Sequence, residues 1–294
     1  MILAKKKIAI IGMNEIGHKH FSELRRSDYF ELVGVYDKDC KEDFGRIDLY
    51  DDLDRLFEEK NPDAVVVCVA PNEHKSLIFK IISYVRNILV DAPFALNLEE
   101  CREIKYAARN NEANIAIFYE DRFNPTIISL LREFSKGFKI YTMNFIRGID
   151  NENKAQIMND FLLKELDLAR ILSGYEISSF EYKNLFDESG KEIQAVSVSA
   201  NIKNEILLSF VCSNLYVVPI HSIQISANSG VYLADLQNFT LHKLTPNGNI
   251  NLKVENENFC FRLAQQEFYE FCENGVLKHL AGIDEVIKIR ELLK

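Results

Sequence analysis

The sequence predicts an α/β protein: a doubly wound parallel sheet over residues 1–120, then an α+β domain with an open, mainly antiparallel sheet over residues 121–294. Three observations predict it. Short β-branched runs alternate with helical patterns through the first 120 residues. Most of those runs stop at Gly, Asp or Pro. Beyond residue 121 the pattern turns to strands, several with a strict two-residue period.

Ile8–Ile11 is a continuous apolar run ending at Gly12, which suits a buried parallel strand. Residues 18–27 read as a helix, and Leu32–Tyr36 as a second strand that stops at Asp37. Leu53, Leu56 and Phe57 lie at helical spacing within 51–59, and Pro62-Asp63 introduces a third strand over Ala64–Val69. His74–Val85 is helical, Asn87–Val90 extended, Leu98–Asn110 helical and Asn114–Phe118 extended. After a helix at Pro125–Ser135, strands are predicted over 140–147, 178–186, 195–202, 205–212, 221–226, 230–236 and 239–244. Val196, Val198, Ala200 and Ile202 alternate with Ser197, Ser199 and Asn201, the signature of a strand with one buried face.

The balance of 44 acidic against 35 basic residues argues against a nucleic-acid or anionic-membrane partner. The six cysteines form no CxxC pair, and no His/Cys cluster has metal spacing. Scattered in apolar runs, they point to reduced core residues of a cytoplasmic protein. The apolar run after Lys5-Lys6-Lys7 is too short for a secretory leader, and no stretch approaches a membrane span.

In a parallel sheet of this kind, ligands bind beyond the carboxyl ends of the strands. That singles out Gly12–Gly17, Asp37, Ala70–His74, Asp91–Pro93 and Tyr119–Arg122. The first loop, Gly12-Met13-Asn14-Glu15-Ile16-Gly17, follows the GxGxxG pattern of dinucleotide-binding Rossmann domains, with Asn14 in place of the second glycine. Gly12 permits the tight turn and Gly17 lets helix and strand approach. Asn14 places a side chain where a pyrophosphate would meet bare backbone. Asp37, 20 positions beyond Gly17, stands where a carboxylate accepts from ribose hydroxyls, which favours NAD over NADP.

These strand-end residues resemble the Gfo/Idh/MocA family, the glucose–fructose oxidoreductase and inositol dehydrogenase group. The resemblance covers the Gly12–Gly17 loop, Asp37, Ala70-Pro71-Asn72-Glu73-His74, Val90-Asp91-Ala92-Pro93, Arg122-Phe123-Asn124-Pro125, and Asp160 through Arg170. It extends to Gln265–Lys294, with Phe268, Phe271, Gly275 and Asp284-Glu285. It implies NAD held by Gly12, Met13, Asn14, Glu15, Ile16, Gly17, Asp37, Ala70, Pro71, Asn72, His74, Asp91, Ala92 and Arg122. It also implies a sugar, cyclitol or related hydroxy compound as substrate, and a homo-oligomer formed through the C-terminal sheet.

Two positions depart from the family. Its Glu-Lys-Pro motif matches Asp91-Ala92-Pro93, so the lysine near the nicotinamide is absent. Its Asp, His, Asp pattern matches Asp160, Lys164 and Asp167, so the histidine that would shuttle a proton is absent. At i, i+4 and i+7 these three share one helical stripe. Two carboxylates beside it would keep Lys164 protonated, a charged donor to substrate and a poor general base. The bland reading is a surface acid–base pair. His18 and His20 read as surface or cofactor-edge histidines, and Arg122 could pair with Glu120 or Asp121. Two functions stay open: an NAD-dependent oxidoreductase with a rearranged site, and a non-catalytic or weakly catalytic nucleotide-binding protein on the same scaffold.

Overall fold

The computed structural model describes residues 4–150 and 155–294, which divide into two units. The first comprises the N-terminal residues to Phe123 together with Cys260–Glu291. Its strands are β1 (Lys6–Ile11), β2 (Phe30–Tyr36), β3 (Leu49–Tyr50), β4 (Ala64–Val67), β5 (Asn87–Asp91) and β6 (Asn114–Phe118). Between them run α1 (Glu15–Leu24), α2 (Leu53–Lys60), α3 (His74–Ile81) and α4 (Leu98–Asn110). The strands are mutually parallel in the order β6-β5-β4-β1-β2-β3. Successive strand residues feed two separate cores: Ala9, Ile11, Val65 and Val67 on one face, Ile8, Ile10, Ala64 and Val66 on the other. Burial on both faces explains why these strands read as unbroken apolar runs.

The second unit holds α5 (Pro125–Phe134), β7 (Ile140–Gly148), a π-helical turn (Ile157–Leu162) continuing into α6 (Leu163–Ser173), β8 (Ser179–Phe186), β9 (Ile193–Ile202) and β10 (Ile206–Ser213). It also holds β11 (Ile220–Ala227), β12 (Gly230–Asp235), β13 (Thr240–Thr245) and β14 (Gly248–Asn251). These eight strands form one sheet, β14-β13-β12-β11-β7-β10-β9-β8, antiparallel except for the β7–β10 pair. Val196, Val198 and Ile202 are buried as the alternation predicts, and Ser197 and Ser199 are exposed. The register aligns Ser197, Val211 and Ile146 on one face, and Asn201, Leu207 and Thr142 with them. On that face Leu207 remains 63% exposed.

The C-terminal segment corrects the expected boundary of a contiguous second domain. Helix α7 (Cys260–Asn274), β15 (Ala281–Gly282) and α8 (Ile283–Glu291) belong to the first unit. Two forces hold them there. Phe268 of α7 packs on Phe30 of β2 with ring centroids 5.9 Å apart, completing the core of one sheet face. Strand β15 pairs antiparallel with β6 and caps what would be an open edge. The Glu267 carboxylate fixes the turn between them, accepting from the amides of Lys278, His279 and Leu280. Burial works against its ionisation, but these bonds and that with the His279 ring hold its carboxyl below the usual range.

His20, expected at the surface or the cofactor edge, is fully buried between Phe118 and Phe261. Its Nδ1 lies 3.4 Å from Gln265 Nε2, and burial pushes its pKa down to about 3. A group that is harder to protonate folded than unfolded contributes full stability above pH 6.5, its ordinary value. Below that the unfolded chain takes up the proton first, and about 1.4 kcal/mol is lost per pH unit toward the folded pKa. Urea unfolding of His20→Leu at pH 7 and pH 5 should therefore show a smaller fall in stability than the unmodified protein. Equal falls would mean that His20 is not buried neutral.

Candidate cofactor-binding site

The site begins where β1 ends. Gly12 adopts φ +96°, and its amide donates to the Tyr36 carbonyl at 2.8 Å. A Cβ there would lie 2.5 Å from the Cys68 carbonyl oxygen. One at Gly17 would lie 2.4 Å from the Gly12 carbonyl oxygen. Three backbone segments meet at distances that no side chain permits, so both glycines are required by packing. Asn14 differs from expectation. Its φ is −69°, a value open to any residue, and its Oδ1 accepts from the Gly17 amide at 2.9 Å as the N-cap of α1. The side chain is drawn back onto its own helix, where Asn is among the best caps. Met13 is buried, while Asn14 and Glu15 are exposed at the helix N-terminus, where first-turn amides have no intrahelical partner and favour an anion.

Asp37 closes β2 beside this loop. Its Oδ2 accepts from the Met13 amide at 2.8 Å, and its Oδ1 accepts from Asp39 and Cys40 at 2.9 Å each. Partial burial opposes ionisation, but these three amide bonds outweigh it and hold the carboxyl below its ordinary range. A carboxylate offers about four acceptor positions, so one remains on Oδ2. Gly12 and Asp37 line a cavity of about 310 Å³ whose apolar walls are Leu53, Val69 and Leu77. Tyr36, Lys38, Asp39, Glu73, Ser76 and Lys80 complete its lining, and Lys80 is paired with Asp54 at 2.8 Å. A larger cavity, lined by Lys5, Phe21, Arg25 and Phe30, opens at the amino-terminal end of β2, away from the strand ends that bind ligands.

The remaining strand-end residues divide by exposure. Ala70 and Asn72 are exposed and Pro71 half-buried on a turn closed by Glu73 N–H donating to the Ala70 carbonyl at 2.9 Å. Asp91 is half-buried, and Ala92 is buried with its amide on the Phe118 carbonyl at 3.0 Å. His74 and Arg122 were expected to face the cofactor, yet both are buried and engaged in the scaffold. His74 Nε2 lies 3.0 Å from the Val69 carbonyl and its Nδ1 3.1 Å from the Ala95 amide. Arg122 donates to Glu285 at 2.7 Å and to the His279 carbonyl at 3.0 Å, tying the end of β6 to the C-terminal segment. Those partners lie more than 150 positions away, beyond any local reading of Glu120 or Asp121.

In the second unit the expected ionic stripe does not form. Asp160 Oδ2 accepts from the Gln156 amide at 2.7 Å and so steadies the π-helical turn. Asp167 is buried, 3.8 Å from Arg170. Lys164, half-buried, makes no hydrogen bond or ion pair among the described residues. The π turn is the reason: its wider i→i+5 winding takes residues 160 and 164 out of α-helical phase. The charge that the helix does bury is Glu165, fully inaccessible, with its Oε1 3.0 Å from Arg147 on β7 and 2.9 Å from His221 Nε2 on β11. Sequence reasoning passed over this group. Its signal was an acid inside an apolar helix, which must find a partner when buried.

Residues 6–119 match the model of a family described as an oxidoreductase family with an NAD-binding Rossmann fold, GFO_IDH_MocA. Over this segment the chain is similar to that family. Curated relatives are distant. The chain is similar to the myo-inositol 2-dehydrogenase of Thermotoga maritima, 24% identical over 58% of this chain and 56% of that one. It is equally similar to the scyllo-inositol 2-dehydrogenase (NAD(+)) of Bacillus subtilis, 24% identical over 59% and 55%. The matches span about half the length of these relatives. The fold is shared end to end with the UDP-N-acetylglucosamine 3-dehydrogenase of Acidithiobacillus ferrooxidans, at TM-score 0.85, 17% identity and coverage of 99% and 96%. An oxidoreductase of Agrobacterium radiobacter, solved with NAD+, L-tartaric acid and magnesium, also has TM-score 0.85, at 14% identity and coverage of 99% and 94%.

The tightness of the first loop is testable. Gly12→Ala adds both left-handed strain and a clash with main chain, and should destabilise by about 1–3 kcal/mol beyond strain alone. Gly137, at φ +84° with open space around it, supplies the control for strain. If Gly12→Ala loses no more stability in urea than Gly137→Ala, the strand ends are not held rigidly together.

Proposed function

We propose that the chain is an NAD-dependent oxidoreductase of the Gfo/Idh/MocA type, acting on a sugar, cyclitol or related hydroxy compound through an atypical site. The observation that carries this reading is the shared cavity of Gly12 and Asp37. There an ionised carboxylate with one acceptor position left stands beside bare backbone. That combination fits the adenosine ribose, with the pyrophosphate at the N-terminus of α1. Bound NAD supplies hydride acceptance at the nicotinamide. Asp37 selects its ribose and repels a 2′-phosphate, which favours NAD over NADP; Lys38 weakens that preference without reversing it.

At Ala92 and Lys164 the family's lysine and histidine are missing, which supports a second reading: a nucleotide-binding protein with little or no turnover. Under the first reading Lys164 acts as a cationic donor that orients substrate. The open face of the second unit's sheet, carrying Leu207 and Val211, is proposed to meet a second copy of the chain.

Calorimetric titration should show NADH binding, with NADPH weaker and the gap narrowed in Asp37→Asn. No binding at millimolar NADH, or NADPH equal to NADH, would overturn the cofactor assignment. General acid–base groups contribute about 10²–10⁴-fold each, so myo-inositol and glucose should be oxidised slowly or not at all. Robust oxidation of either would overturn the atypical site. Lys164→Met should abolish whatever turnover is found and leave NADH affinity nearly unchanged. For the oligomer, sedimentation should show more than one copy, reduced to one by Leu207→Glu with Val211→Lys. A monomeric unmodified protein would refute that interface.

A further inference from the structure

Beyond Ala92, the segment Phe94-Ala95-Leu96 is gripped from two sides. Arg290 of α8, buried, donates through Nη2 to the Phe94 carbonyl at 3.0 Å and the Ala95 carbonyl at 2.6 Å. Its Nη1 lies 3.4 Å from the Leu96 carbonyl. From the opposite direction the Ala95 amide donates to His74 Nδ1 at 3.1 Å. Because Nδ1 accepts, the ring proton belongs on Nε2, which then donates to the Val69 carbonyl. Burial, with the nearby Arg290 charge and against the bond to Val69, pushes the pKa of His74 down to about 4 and keeps the ring in this neutral form. Ala95 sits at φ +58°, a left-handed conformation that an alanine keeps only when its surroundings impose it. The grip is therefore spent on holding a backbone shape.

The sheet order says what that shape serves. The cavity of Gly12, Asp37 and Val69 lies at the ends of β1, β2 and β4. Strand β5 lies on the far side of β4 from β1, so its end adjoins the other half of a dinucleotide laid across the strand ends. With alanine at 92, that residue offers a ligand no side chain longer than a methyl group. Its position is then set by whatever holds the main chain.

We propose that Arg290 and His74 are positioning residues that fix segment 92–96 as the wall for the nicotinamide half of NAD. This rests on the NAD reading above. His74 also joins the two halves of the site, since it begins α3, whose Ser76, Leu77 and Lys80 line the adenosine cavity.

The test compares NADH with ADP-ribose, which lacks the nicotinamide. Both are titrated calorimetrically into the unmodified protein, Arg290→Met and the milder Arg290→Lys, with folding checked by circular dichroism. The unmodified protein should bind NADH more tightly than ADP-ribose. Arg290→Met should lose about tenfold in NADH affinity, near 1.4 kcal/mol, and keep ADP-ribose affinity within about twofold. If Arg290→Met does not fold, Arg290→Lys, which retains one donor group, should show the same selective loss at smaller size. Equal loss of both ligands would reveal a merely structural role and overturn the proposal. So would unchanged NADH affinity, or an unmodified protein that binds the two ligands equally. Failure of the unmodified protein to bind either one overturns the NAD reading instead.

Discussion

The close packing at Gly12 is the constraint on which the first unit depends. There the end of β1, the residue after β4 and the first turn of α1 converge within distances that exclude even a methyl group. Their convergence puts the α1 N-terminus and the Asp37 carboxylate at the same strand ends. The Met13 amide then reaches Asp37 directly. Two missing Cβ atoms, at Gly12 and Gly17, thus set the geometry, and the carboxylate's ionisation follows from the amides that this geometry aims at it.

Much of this is legible in the sequence because each requirement is local. Gly12, Gly17 and Asp37 lie within a span of 26 residues, and the parallel strands announce themselves as apolar runs. The alternation over 196–202 identifies which face of β9 is buried, and the observed register agrees residue by residue. Spacing alone therefore suffices to locate Gly12 and Asp37 at neighbouring strand ends, with Gly17 in the first turn of α1. It locates Asn14 too but misleads about its role. The position matches the fingerprint, while the direction of the side chain depends on a capping bond to Gly17 that spacing does not encode.

What escapes the sequence is long-range or depends on helix winding. The pairing of β15 with β6, the Arg122–Glu285 ion pair and the Arg290 grip join residues more than 150 positions apart. No periodicity reports such contacts. His20 is misplaced for the same reason, since Phe261 and Gln265, which enclose it, return from the other end of the chain. The second unit shows the other failure. A stripe drawn at i, i+4 and i+7 presumes α-helical winding, and the π turn over 157–162 breaks that presumption ahead of Lys164.

That helix also explains how position 164 can vary without disturbing the scaffold. Its register is pinned by Glu165, which is wholly buried and paired with Arg147 and His221 on two different strands. Moving or removing that carboxylate would strand a buried charge, at a cost of about 3–5 kcal/mol. Asp167 and Asp160 are likewise tied, one to Arg170 and one to the Gln156 amide. Lys164 is held by none of these bonds and is only half-buried. Substitution there alters what the helix can offer a ligand while its anchoring stays in place. At position 92 the same separation holds: Arg290 and His74 grip the backbone beyond the residue, so the path of the loop does not depend on the side chain at 92. In both units, then, the groups that hold the scaffold differ from the side chains at positions 92 and 164. Substitution at position 92 or 164 would therefore leave the bonds that hold each fold in place.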